Sequence, residues 1–150
     1  MKMNVKEQLQ ADLKTALLNK DELRKNVIRF TVSAIKNAEI AKPGHELSDA
    51  DLLALLTTEV KRRKDTISEL EKVDRPELLK EEKAQLEVLM NYMPKQLSRA
   101  AIVETAQKVI AEVGASGPQA TGQVMKRLMA DLKGKADGKL VSEVVNELMK

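Results

Sequence analysis

The sequence has no cysteine and no tryptophan, and only one histidine, one phenylalanine and one tyrosine in 150 residues. Without cysteine there is no disulfide framework, no thiolate zinc site and no thiol nucleophile, and a single histidine excludes a multi-histidine metal cage. The two aromatic rings, Phe30 and Tyr92, make no stacking platform for single-stranded nucleic acid, so any bound RNA must be held by shape and backbone contacts. No apolar run approaches the roughly 18 residues of a membrane span. Met1 to Gln10 carries Glu7 and no apolar signal-peptide core. These absences set the expectation of a soluble cytoplasmic protein with no cofactor, no metal and no membrane partner.

What is present is mainly leucine, alanine, valine, methionine and isoleucine, set among 33% charged residues. Sheets favour aromatic and β-branched side chains, so this inventory suits packed helices. A chain of this length buries roughly 68–70% of its unfolded surface, enough for a core without staples. The expected fold class is all-α.

Val5, Leu9, Leu13 and Leu17 recur every four residues and draw one stripe down a helix. After Asp21, a suitable N-cap, the residues Leu23, Val27, Phe30, Ala34, Ile35 and Ala38 continue the helical period. The two segments read as a helical hairpin turning at 19–21. Lys42-Pro43-Gly44-His45-Glu46 is a breaker. Ser48 and Asp51 form a near capping box for a helix to about Val73, and Pro76 suits the first position of another that runs to about Tyr92. Ser98 opens a helix that Gly114 closes. The glycine-rich stretches 114–122 and 134–138 then set off two shorter amphipathic helices, Val124 to Leu132 and Leu140 to Leu148.

The texture changes near Pro94. Residues 1–95 carry 18 basic and 17 acidic side chains, while residues 96–150 carry 8 and 6. The expected architecture is an N-terminal module of about four helices over 1–95, joined to a small three-helix module over 96–150. There is no internal repeat of solenoid length.

Lys61-Arg62-Arg63-Lys64 is the densest basic run. Successive helical residues diverge in direction, so the run wraps its helix. With Glu59 to Arg63 and Lys61 to Asp65 as i,i+4 pairs, it reads as solvated helix surface. The segment Gly134-Lys135-Ala136-Asp137-Gly138-Lys139, with Lys126, Arg127 and Lys133 upstream, supports two readings. In one, cations flank a glycine loop whose backbone N–H groups aim at an anion such as phosphate. In the other, Asp137 caps a helix, the glycines occupy left-handed turn positions and the lysines face solvent. The spacing does not match a Walker A loop. His45 reads as a loop residue, and Ser48, Ser98 and Ser116 as caps or turns. Glu81 and Glu82 diverge on a helix, so no catalytic residue is assigned. Met90, Met93, Met125 and Met129 are expected to fill core gaps. Tyr92 is expected over the joint between modules with its hydroxyl near water.

The run KRRKDTISELEKVDRPELLKEEKAQLEVLMNYMPKQL from Lys61 to Leu97, then Gly122-Gln-Val-Met, then the Gly134 loop before a valine-rich terminal helix, resembles the YqeY-like proteins of the GatB/YqeY family. With the earlier segment Val27 to Lys36, the likeness covers nearly the whole chain. It implies a helical N-terminal module and a C-terminal module similar to the tail domain of the B subunit of glutamyl/aspartyl-tRNA amidotransferase, which helps recognise the outer corner of tRNA. By that likeness Lys126, Arg127, Lys133, Lys135 and Lys139 are the candidate RNA contacts, and Gly122, Gly134, Asp137 and Gly138 shape the loop. Ala120-Thr121-Gly122-Gln123 stands where the family has an acidic-methionine-glycine-lysine run. Lys135 stands where it has an arginine, which gives up fork geometry toward phosphate.

The implied function is a non-catalytic module that binds tRNA or a tRNA-handling protein. Two other readings stay open: a component of a carbon–nitrogen ligase, namely a tRNA-dependent amidotransferase with glutamine as amide donor, and a protein-interaction module using the long N-terminal helices. The amidotransferase's phosphorylation and glutaminase chemistry belong to parts absent from these residues, so a stand-alone enzyme is not the expectation. The oligomeric state is unassigned.

Overall fold

The structure is a computed structural model that describes residues 4–44, 46–114 and 117–150. The roles expected of His45 and Ser116 lie outside the described residues. Every regular element among the described residues is helical: α1 Val5–Leu18, α2 Glu22–Ala41, α3 Asp49–Glu71, α4 Pro76–Met90, α5 Arg99–Val113, α6 Thr121–Leu132 and α7 Gly138–Leu148, with a 3-10 turn at Pro118–Ala120. The fold is all-α. The chain divides into two compact units, 1–93 and 94–150, with four α-helices in the first and three in the second.

Local chemistry explains where the helices start and stop. The side chains of Asn4, Asp21, Ser48 and Ser98 accept from backbone amides in the first turns of α1, α2, α3 and α5 and satisfy donors a helix end leaves open. At Ser48 the capping box is complete, because Asp51 also accepts from the Ser48 amide at 3.1 Å. The Lys42 ammonium, which bonds Asp51, and the Ser48 cap together hold the Asp51 carboxyl at about 2, below its usual 3.8. Pro76 occupies the first turn of α4, where its missing N–H costs nothing. Gly114 ends α5 in the left-handed conformation, φ 70°.

The first unit is two helical hairpins, α1–α2 and α3–α4, with α2 packed on α3 and α4. Its core has two clusters: Val27, Leu56, Val60, Val88 and Leu89 in one, and Leu9, Ile28, Ile35 and Leu52 in the other. Adjacent residues of α2 serve different clusters. Buried Thr31 disposes of its hydroxyl by donating to the Val27 carbonyl at 2.8 Å.

Two expectations change here. Tyr92, read as lying over the joint between modules, packs against both clusters of the first unit, and its hydroxyl donates to Asp12 at 2.5 Å. Burial, and then the Asp12 carboxylate that accepts its hydrogen, push the phenol well above its ordinary value. The basic run is not uniformly solvated. Arg63 is 15% exposed, lies 5.8 Å above the Phe30 ring, donates to Gln85 and faces Glu82 at 3.7 Å. Glu59 is therefore left to Arg62, at 3.3 Å, instead of Arg63. An aromatic face and α4 acceptors draw the guanidinium inward, which outweighs the weak i,i+4 pair.

In the second unit, Ile102, Ala106 and Val109 of α5, Val124, Leu128 and Leu132 of α6, and Val141, Val144 and Val145 of α7 close one core with Met149. Every member is apolar. Met125 and Met129 pack at its edge, as Met90 and Met93 do in the first unit, in the gap-filling role expected of them.

Candidate anion-binding loop

The apolar stripes of α6 and α7 turn inward and leave their polar faces outward, which places Lys126 and Arg127 on the surface of α6. Lys133 is the C-cap of α6, and Lys135 and Lys139 are exposed in the loop and the first turn of α7. Lys126 and Lys133 are seven residues apart, nearly two helical turns, so they share one side of α6 about 10 Å apart.

Gly134 is buried at φ 78°, a conformation that L side chains rarely adopt, and it makes the turn. The other two glycines do not act as expected. Gly138 is the first residue of α7 with no positive φ, and a Cβ there would meet Met129 at an ordinary 3.6 Å. Gly122 lies within the first turn of α6 with open space around it, so it shapes no loop. Asp137 caps α7 by accepting from the Lys139 amide at 3.0 Å. Its carboxylate already occupies the N-terminus where a bared N–H cradle for an anion was one reading. Any anion held here is therefore held by ammonium groups.

Sequence reasoning missed what fixes this loop. The Gln96 side-chain amide donates to the carbonyl of Gly134 at 2.9 Å, and the Leu97 amide donates to that of Lys135 at 2.8 Å. These partners lie 38 residues apart in the chain, beyond the reach of any local pattern.

The charges of the second unit are partitioned. Glu143 and Glu147 face Arg99 at 3.9 and 2.6 Å, Glu104 faces Lys108 at 3.8 Å, and Glu112 faces Arg127 at 2.8 Å. Of the five candidates Arg127 is thus already paired, whereas the ammonium groups of Lys126, Lys133, Lys135 and Lys139 meet no carboxylate among the described residues. The division after Met93 also places Lys95 in the second unit. The first unit then carries 17 basic and 17 acidic residues and the second nine and six, so the whole net charge of +3 resides in the second.

Elsewhere, a cleft of about 200 Å³ lies beside Lys6, Glu39 and Leu47, and one of about 290 Å³ beside Leu23, Glu87 and Asn91. Both fall below the roughly 300–1,000 Å³ of small-molecule sites. Among the described residues no three histidine or acidic side chains gather to hold a metal, and no helix is long and apolar enough to cross a membrane.

Comparison with known proteins adds the ancestry. The family model described as Yqey-like protein matches residues 6–149. Similar proteins include Altered inheritance of mitochondria protein 41, mitochondrial, from three fungi. The Lachancea thermotolerans protein is 40% identical over 101 residues, which are 67% of this chain and 54% of that protein. The Saccharomyces cerevisiae protein is 32% identical over 142 residues, 93% of this chain and 68% of its own length. The Pyrenophora tritici-repentis protein is 33% identical over 145 residues, 94% and 78%. The chain spans a little over half of the first of these relatives. Their names place them in mitochondria and overturn the cytoplasmic expectation. That expectation rested on a missing secretory core and a missing membrane span, and organelle transit segments have neither, being amphipathic and arginine-rich.

Proposed function

The chain belongs to the YqeY-like protein family, and on that footing we propose that it is a binding module that holds tRNA by its phosphates, through exposed lysines of the second unit. The observation that carries this reading is the partition of charge. The carboxylates of α5 and α7 face Arg99, Lys108 and Arg127, whereas Lys126, Lys133, Lys135 and Lys139 meet no carboxylate among the described residues. Among the described residues the large exposed apolar side chains are Leu17, Leu18, Phe30, Ile40, Val73 and Leu78, all in the first unit. A protein interface needs such anchors at its centre, whereas a phosphate backbone asks only for cations.

The test is a salt-dependent titration of the full chain with bulk tRNA. Four phosphate contacts give a log–log slope of about −3 to −4. Lys135→Glu combined with Lys139→Glu should weaken binding at every salt concentration and flatten the slope. Unchanged affinity in that variant rejects the surface.

One observation favours a second reading for the other unit. Leu18 is 76% exposed at the end of α1, Val73, 56% exposed, lies in the α3–α4 turn, and Leu78, 48% exposed, in the first turn of α4. A protein partner that docks there should be recovered by pull-down after nuclease treatment and lost with Val73→Asp.

A further inference from the structure

We propose that Lys95 is an additional phosphate-contacting residue of this RNA surface and that Gln96 is its positioning residue; the proposal rests on the tRNA-binding reading above. Lys95 is exposed and meets no carboxylate among the described residues. It comes from the segment that enters the second unit, far in sequence from the loop, yet the backbone brings it there.

The Gln96 amide nitrogen has two hydrogens, and both are used: it donates to the Pro94 carbonyl at 2.8 Å and to the Gly134 carbonyl at 2.9 Å. The Leu97 amide adds its bond to the Lys135 carbonyl. Lys95 is therefore bracketed, with the carbonyl before it and the two residues after it all tied down. Successive Cα atoms are about 3.8 Å apart, so its Cα lies within about 8 Å of that of Leu97, itself hydrogen-bonded to the loop. A lysine arm from that point reaches the solvent around Lys135 well within the roughly 10 Å screening length at 0.1 M salt.

A cation fixed at its backbone loses less freedom when it meets a phosphate than one on a loose segment. The occupant is the sugar–phosphate backbone of RNA. The second unit has neither an aromatic ring on which to stack a base nor a large exposed apolar residue, among those described, on which to seat a protein.

The experiment compares salt titrations of bulk tRNA against the full wild-type chain, Lys95→Ala, Gln96→Ala and, as a control, Lys14→Ala on α1, with thermal melting to confirm folding. Lys95→Ala should reduce the magnitude of the log–log slope by about 0.7–0.9, one phosphate contact. Gln96→Ala should weaken binding about two- to tenfold, the effect of an ordinary hydrogen bond, at unchanged slope, because it touches no phosphate. Lys14→Ala should change neither. If the wild-type chain binds and Lys95→Ala keeps the full slope, this inference falls and the tRNA reading stands. If Gln96→Ala leaves affinity and slope both unchanged, the positioning role falls; a flattened slope would mean that Lys95 has lost its phosphate, because an uncharged amide releases no counterions. If the wild-type chain binds no tRNA, both the inference and the reading beneath it fall.

Discussion

The two units distribute the same residue types in opposite ways. The first is electrically neutral and, among the described residues, buries Thr31 and Glu59 beside its apolar residues and leaves six large hydrophobic side chains exposed. The second carries all the net charge, buries no polar side chain and exposes no large hydrophobic one among the described residues. The contrast follows from size. A unit spanning 94–150 removes a smaller share of its surface from water than a larger one, so its one core must be wholly apolar. Its identity is then written in surface charge. The larger unit has area to spare for a satisfied hydroxyl inside and for leucines outside.

The largest expected effect breaks that comparison at its weak side. Leu128 is fully buried in the single core of the second unit, and Leu128→Ala should cost about 2–5 kcal/mol. At roughly 0.05–0.15 kcal/mol per residue, a unit of this size has only about 3–9 kcal/mol in all. Hydrogen exchange should show amide protection collapsing in α5–α7 and persisting in α1–α4. Equal loss in all seven helices would mean that the units do not hold themselves together separately.

Tyr92→Phe probes the first unit's own fastening. It removes the hydrogen bond to Asp12 and should cost about 1.5 kcal/mol, a value typical of bonds to charged acceptors. It has a signature in pH. The raised phenol means that the folded chain keeps its proton longer than the unfolded chain does. The stabilisation is complete below the ordinary tyrosine value near 10 and falls as pH rises above it. Denaturation from pH 8 to 11 should show the wild type converging on the variant. Parallel curves would mean that Asp12 does not hold the phenol.

A smaller effect lies at the start of α3. Ser48→Ala removes a cap and should cost about 1 kcal/mol. Asp51 is depressed to about 2 from 3.8, so its contribution is present above pH 4 and fades as pH falls from about 4 toward 2. Urea titrations of Asp51→Asn against the wild type should therefore differ at pH 6 and agree near pH 2.

What can be read in the sequence is what acts over short spans. Asp21, Ser48, Ser98 and Asp137 are legible as caps because each accepts from an amide two or three residues on. The stripes reveal the inward face only in part: Leu9, Val27 and Ile35 are buried, but Leu17 and Phe30, read on the same stripes, are exposed, and Ala16 is buried beside Leu17. Partners set by tertiary packing are not legible. Nothing local couples Arg63 to Phe30, Tyr92 to Asp12 across 80 residues, or Gln96 to Gly134 across 38. The candidate lysines were readable as a charge cluster. That Arg127 is paired, that Gly138 is helical and that Lys95 joins them depend on the fold.

The smallest expected effect on stability is the sharpest on function. Glu112 and Arg127 are 57% and 52% exposed, and surface pairs of this kind contribute about 0–1 kcal/mol. Glu112→Gln should therefore leave the melting of the second unit almost unchanged. It also removes a negative charge from the neutralised side of the unit and frees a guanidinium beside Lys126, with the planar fork suited to phosphate. If charge partition is what distinguishes the second unit, tRNA binding should tighten, and the log–log salt slope should steepen by about one contact. If affinity rises with no change in slope, Arg127 stays out of reach of the backbone and the surface is confined to the lysines around Gly134. If affinity does not rise at all, the pairing of carboxylates on α5 and α7 is incidental to binding, and the two units differ in charge without differing in task.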